Sequence, residues 1–217
     1  MAAPEVPRLY VLAGVNGAGK SSIGGAAFRA FGADAYDPDE AARAIKTANP
    51  HLKQFEANAA AWHQGRRLLE RAIGERLDFA FETTLGGSTI PRMLAEAAAT
   101  GFAVHVWYAG LASPELHIAR VRARVRMGGH DIPEADIWRR CQHSRVNLID
   151  LLPQLAALRV FDNSAEADPA LGQTPAPWLV LDVEHGRIVA PADLSQTPGW
   201  ARPIVAAALK LPTADSR

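Results

Sequence analysis

The stretch "GVNGAGKSS", residues 14–22, follows the apolar run "RLYVLA" (8–13), and its reading decides the fold. Gly14, Gly19, Lys20 and Ser21 satisfy the pattern GxxxxGK(S/T). In such a turn the glycines let successive backbone amides face one anion, the lysine reaches terminal phosphates, and the serine hydroxyl can ligate magnesium. A short apolar run ending at a glycine reads as a buried parallel strand, and the residues after the turn read as a helix over 19–31 closed by Gly32. Strand before and helix after are what a phosphate cradle requires, and the helix N-terminus adds partial positive charge. The expected nucleotide-binding set is therefore Gly14, Asn16, Gly17, Ala18, Gly19, Lys20, Ser21 and Ser22, with Ser21 as the metal ligand. A glycine-rich turn without a ligand is the competing reading.

Outward from this turn, strand-like and helix-like segments alternate. After a short strand near "ADAY" (33–36), helical composition covers Asp39 to Ile45 and Phe55 to Gly74. "LDFAFE" (77–82) reads as a core strand, "PRMLAEAAATG" as a helix with proline in its first turn and glycine past its end, and "AVHVWYA" (103–109) as another strand. "SPELHIARVRARVR" opens with a serine cap and a proline, "MGGHD" interrupts, and "IPEADIWRRCQHSRVNLIDLL" begins a new helix. "ALRVFDNS" (157–164) supplies a fifth strand, and "WLVLDVEHGRIVA" a hairpin turning at His185-Gly186. This order predicts an α/β three-layer fold built on the P-loop: a five-stranded parallel sheet between helices, a helical lid over 113–150, and a C-terminal hairpin and helix over 176–210, in one domain spanning 1–217 with its core at 8–165. Residues 165–177 read as a loop, and the tail after Lys210 as frayed.

Composition narrows the function classes. In 217 residues, 23 Lys and Arg balance 23 Asp and Glu, so no overall field draws the chain to nucleic acid or to an anionic membrane. No run approaches the roughly 18 apolar residues of a membrane helix, and no signal-type N-terminus is evident. The single Cys141, among polar helical residues, has no internal disulfide partner. A cytoplasmic protein without a membrane partner is expected.

Acidic residues close the strands on the side where open parallel sheets bind ligands. "YDPDE" places Asp37 and Asp39 there; a carboxylate at this point can take the proton of an attacking hydroxyl, or Asp39 can cap the following helix. "FETT" places Glu82 and Thr83 at the same edge, where Glu82 meets a substrate hydroxyl or a magnesium-bound water, or stands as a solvated acid. Asp37, Glu82 and Thr83 form the expected substrate set. Asp182 at the end of "LVLD" mimics a Walker-B acid, but its place before a turn favours a hairpin. Arg120 and Arg124 share one helix face and Arg122 and Arg126 another; one pair, with Arg139 or Arg140, is expected to fold over the phosphates about the hinge "MGGHD". His130 is read as a hinge residue or a participant, and Asn163 and Ser164 as adenine contacts or a turn.

In this order "GVNGAGKSS", "DPDEAAR", "FETT", "RVRARVRMGGHDIPEADIWRR" and "DNS" resemble the zeta-toxin family of P-loop kinases, over roughly residues 8–165. The resemblance implies a kinase-like P-loop NTPase fold with a helical lid, ATP and Mg2+ as cofactors, Asp39 as the base, Lys20 and Ser21 as nucleotide ligands, Glu82 as a substrate contact, and Arg124 and Arg140 as phosphate-binding lid residues. It also implies transfer to the 3'-hydroxyl of a UDP-activated N-acetylated amino sugar. Relatives often carry Asn where Asp37 stands and Arg where His143 stands. No segment reads as a built-in antitoxin bundle, so any antitoxin is expected in trans. A small-molecule kinase is the favoured reading, against a nucleotide-dependent regulatory ATPase and a nucleic-acid end kinase that uses the arginine helix as a clamp; few aromatics near that helix weigh against the last.

Overall fold

The computed structural model describes residues 5–21, 23, 35–165 and 177–212. β1 (Arg8–Ala13) lies between β2 (Phe79–Thr83) and β3 (Ala103–Gly110), parallel to both, with Ala13 level with Thr83 and Tyr108. A central strand has no solvated face, and the "LYVLA" residues are all buried. Their period-two alternation sends Leu9, Val11 and Ala13 into one apolar layer and Tyr10 and Leu12 into the other.

The larger layer holds α3 (Thr89–Ala99), the C-terminal half of α5 (Glu134–Leu151) and α6 (Arg202–Ala208), through Leu94, Ala97, Leu148, Leu151, Ile204 and Ala208. On the other face, Ala18 and Ile23 of the phosphate turn and its helix meet Trp107. α1 (Pro38–Ala48) and α2 (Gln54–Glu75) form a helical pair beyond the β2 edge, and α4 (Pro114–Arg126) joins α5 through Ile118, Val121, Ile137 and Cys141. Burial in that cluster pushes the Cys141 thiol up to about 11.

The sheet has six strands, in the order β2-β1-β3-β4-β5-β6, rather than the expected five parallel ones. β4 (Ala157–Asp162) is parallel to β3. β5 (Trp178–Glu184) and β6 (Arg187–Ala190) form the expected hairpin, but it pairs antiparallel to β4 and so extends the core sheet. His185 and Gly186 turn it with φ of 49° and 75°, the left-handed pair that two-residue hairpins use. Of the expected strand near "ADAY", Tyr36 makes a single parallel bridge to Phe81, while Ala33 and Asp34 lie outside the described residues. The helix expected over 19–31 is described only at Lys20, Ser21 and Ile23. Among the described residues no helix is long and apolar enough to cross a membrane.

Candidate active site

The phosphate turn leaves β1 at Gly14, whose backbone φ is +148° and whose amide donates to the Thr83 carbonyl at 3.1 Å. A Cβ at Gly14 would stand 2.5 Å from the Ala109 carbonyl oxygen, so only glycine lets the turn pass over β3. Gly17 (φ 82°) and Gly19 (φ 75°) take left-handed geometry, the alternation that gathers amides into an anion-binding hollow. Lys20 curls back over the turn and its Nζ donates to the Gly14 carbonyl at 3.2 Å. Ser21 is exposed at the opening of the helix; the side chain of Ser22 lies outside the described residues.

Asp37 and Asp39 divide the two tasks that their position offers. Asp37, expected as a substrate ligand, is instead the cap of α1: its Oδ1 accepts from Asp39 N (2.7 Å) and Glu40 N (3.3 Å). The correction has a local cause, because Pro38 fills the first helical position and its predecessor becomes the cap. Asp39 is thereby released from capping. Its Oδ2 accepts from Arg124 Nη1 at 3.3 Å, and its Oδ1 lies 3.8 Å from His130 Nε2.

The arginine helix sorts by face as its spacing requires. Arg124 points at Asp39 and Arg120 donates to the Ala165 carbonyl, whereas Arg122 pairs with Glu134 on the other side. Among the described residues, Arg124 Nε and Nη2 are buried without a hydrogen-bond partner. Buried guanidinium donors left unpaired cost more than the roughly 1–3 kcal/mol of a neutral group, so this end of Arg124 fits an anionic oxygen. Gly128 and Gly129 end the helix; a Cβ at Gly129 would stand 2.7 Å from Arg124 Cγ, so the glycine lets the chain fold back over that side chain. From α5, Arg140 Nη1 donates to Asn16 Oδ1 at 2.6 Å, while Arg139 turns to Asp136.

Asp39, Glu82, Thr83, Asn16, His130 and Arg140 all border one cleft of about 690 Å³. Burial pushes the Glu82 carboxyl up to about 7; nearby Lys20 opposes this, and Asp37 and Asp39 add to it. Thr83 Oγ1 accepts from Leu85 N, which leaves its proton free to be donated elsewhere. Asn163, expected near adenine, is buried with its Nδ2 donated to the Ala18 carbonyl at 2.9 Å, and Ser164 Oγ accepts from Ala112 N. Both are spent on backbone rather than turned to a base. Asp182 pairs with Arg159 on the antiparallel hairpin strand. Among the described residues no group of three or more acidic, His or Cys side chains is placed to hold a metal.

The sequence reading missed the far wall of the cleft. Phe55 and Trp62, seven residues apart on one face of α2, stand 65% and 42% exposed beside it, with Arg66 over the Trp62 ring at 5.8 Å. An exposed aromatic pair at helical spacing is the signal that could have found it.

Comparison with known proteins gives the chain a family. The zeta toxin family profile matches residues 1–168. The chain belongs to the zeta toxin family. With that membership comes assignment to the P-loop phosphotransferases. A Haemophilus influenzae protein described only as uncharacterized is 37% identical over 125 residues, which cover 56% of this chain and 83% of that protein. Among solved structures, the AvrRxo1-ORF1:-ORF2 complex with ATP superposes with a TM-score of 0.66 at 14% identity, covering 94% of this chain. This zeta toxin family member spans only 64% of the length of that chain. The PezAT toxin–antitoxin system of Streptococcus pneumoniae gives a TM-score of 0.55 at 18% identity, covering 80% of this chain and 76% of that one. At these identities the two structures show a shared fold.

Proposed function

We propose that this protein, as one kinase domain with a lid over 113–150, transfers the γ-phosphoryl group of ATP to a hydroxyl of a small molecule bound in the cleft. The observation that carries the reading is the placement of Asp39: freed from capping by Asp37, it faces the cleft that the phosphate turn borders and meets the lid through Arg124.

The residues supply the parts such a transfer needs. Backbone amides of residues 14–22 and Lys20 hold the nucleotide phosphates, and Ser21 would hold Mg2+. A magnesium ion, when bound there, neutralises charge on the β- and γ-phosphates. Asp39 accepts the proton of the acceptor hydroxyl as its oxygen bonds to phosphorus, while the bond to the bridging oxygen breaks and ADP leaves. Arg124, through its unpaired Nε and Nη2, and Arg140 balance charge on the moving group. Glu82 and Thr83 orient the acceptor, and Phe55 and Trp62 offer it flat apolar surface.

The family resemblance points to a UDP-activated N-acetylated amino sugar as acceptor, and an aromatic wall with Arg66 suits a heterocycle and its phosphates. An antitoxin-like partner in trans belongs to the same reading, since the PezAT structure is described as a toxin–antitoxin system. Cytoplasmic location is part of it as well. The test is transfer from labelled ATP to a panel of UDP-sugars and polyols: a kinase labels an acceptor, whereas release of free phosphate alone in every reaction indicates an ATPase.

A further inference from the structure

Two buried polar side chains take no part in the chemistry above, yet both end on the phosphate turn. His117, in the first turns of α4, is 4% exposed and its Nδ1 lies 2.9 Å from the Asn16 carbonyl oxygen. Asn163, just past β4, is 3% exposed and donates to the Ala18 carbonyl at 2.9 Å. A carbonyl oxygen only accepts, so His117 must carry its proton on Nδ1. Burial pushes the imidazole down to about 4, and Lys20, Arg120 and Arg145 act in the same direction, so the ring is neutral near pH 7.

The consequence for the turn follows from peptide geometry. In a planar trans peptide the carbonyl and the next residue's N–H point in opposite directions. Tying the Asn16 and Ala18 carbonyls to α4 and to the end of β4 therefore turns the N–H groups of Gly17 and Gly19 the other way. These are two of the glycines whose left-handed φ gathers amides about an anion. α4 also closes on the turn through its backbone, for a Cβ at Gly17 would stand 2.7 Å from the His117 carbonyl.

We propose that His117 and Asn163 are positioning residues that preset the anion-binding face of the phosphate turn by fixing the Asn16 and Ala18 carbonyls from outside. The proposal rests on the turn being a nucleotide site. It makes α4 serve two ends, because the helix that aims Arg124 at the cleft also shapes the cradle seven residues earlier. Preorganised donors cost no rearrangement when the ligand arrives, so loss of either brace should appear in nucleotide affinity before it appears in the rate at saturation.

The experiment uses the full chain and four variants: His117→Leu, His117→Asn, Asn163→Asp and Lys20→Ala. A fluorescent ATP analogue reports affinity, thermal melting reports folding, and the side-chain nitrogen NMR signals of His117 in the wild type report its tautomer. The proposal expects a neutral, Nδ1-protonated ring from pH 6 to 8. It expects His117→Leu and Asn163→Asp to weaken ATP binding about tenfold or more and to raise KM for ATP more than they lower kcat. His117→Asn, whose Nδ2 can replace Nδ1, should stay within about threefold of wild type. An Nε2-protonated ring, unchanged affinity in both disruptive variants, or a His117→Asn as weak as His117→Leu overturns it. If wild type binds ATP no better than Lys20→Ala, the nucleotide reading itself fails and takes the cradle's purpose with it, while the tautomer still shows whether the Asn16 brace exists.

Discussion

Arg124 reaches Asp39 across 85 residues of sequence, with Nη1 3.3 Å from Oδ2, and so ties α4 to the start of α1. Asp39 is the second residue of that helix and is free to make the contact because Asp37 caps it. The pair joins a carboxylate that can take a proton to a cation that can follow negative charge onto phosphorus. Asp39→Asn is therefore expected to lower acceptor labelling by about 10²–10⁴-fold while ATP affinity stays within a few-fold. Labelled-phosphate transfer and fluorescent nucleotide titration check the two effects separately. Equal loss of both would remove Asp39 from the role of base.

Lys20→Ala is the complementary case. Its Nζ lies over the turn at the Gly14 carbonyl, where the proposed reading puts the nucleotide phosphates. Both ATP binding and turnover should be lost, by about 10²-fold or more in turnover, on the scale of removing one preorganised donor to developing charge. The same titration decides, and full ATP affinity in this variant would contradict the cradle.

Glu82 gives a pH signature. Its folded-state pKa stands near 7 against an ordinary value of 4.5, because burial disfavours the charged form. The folded state thus binds this proton more tightly than the unfolded chain. Its stabilising contribution is complete below about 4.5 and is lost as pH rises to about 7. Glu82→Gln keeps the shape without the titration, so its stability should lack this decline and exceed wild type near pH 8 by on the order of 1–2 kcal/mol. Thermal or urea unfolding at pH 5, 6, 7 and 8 tests it. Parallel pH curves for the two proteins would show that Glu82 titrates like a solvated acid.

The sequence carried the cradle and the strand ends because each needs particular residue types at fixed spacing. Gly14, Gly19, Lys20 and Ser21 leave few other uses for such a turn, and the alternation of strand and helix puts Asp39 and Glu82 at one sheet edge. Local competition was harder to read. Asp37 and Asp39 are both good caps, and only the proline between them decides which one is spent. Asn163 in "DNS" looked open to a ligand, yet the partner it meets, the Ala18 carbonyl, is 145 residues away. His117 was invisible for the same reason, since its bond to Asn16 spans 101 residues. The hairpin was evident from His185-Gly186, but its attachment to β4 depends on a sheet edge that no local pattern announces.

Two glycines of α2 should answer oppositely to one substitution. At Gly65 a Cβ would stand 2.5 Å from Tyr36 Cε1, and that ring cannot swing away without breaking its hydroxyl bond to the Ala61 carbonyl at 2.5 Å. At Gly74 nothing lies within 4 Å. Gly74→Ala is expected to stabilise the protein by about 0.5–1 kcal/mol through helix propensity, and Gly65→Ala to destabilise it by about 1–3 kcal/mol through overpacking. Because Tyr36 and Gly65 both border the cleft, Gly65→Ala should also raise KM for the acceptor. Urea denaturation of the two variants side by side provides the check, and a stabilised Gly65→Ala would mean that the ring has room to move.

Trp200 makes the C-terminal segment part of the core although it lies beyond the residues that match the family. Its ring covers Gly110 at the end of β3 so closely that a Cβ there would stand 2.2 Å from it, its Nε1 donates to Asp162 Oδ2 at 2.9 Å, and its carbonyl accepts from Arg145 on α5. Asp162 directly precedes Asn163, and Arg145 lies on the helix that carries Arg140, so Trp200 is tied through its indole to the strand end that carries one brace of the phosphate turn and through its backbone carbonyl to α5. Trp200→Ala is expected to cost about 3–5 kcal/mol, and Gly110→Ala about 1–3 kcal/mol by displacing the ring. Trp200→Phe, which keeps an aromatic plug but leaves Asp162 without its donor, should fall between wild type and Trp200→Ala. Urea unfolding gives the order, and nucleotide titration should show weaker ATP binding in Trp200→Ala while the protein is still folded. If that variant kept full affinity, the C-terminal helix would support the sheet alone and have no part in holding the cradle.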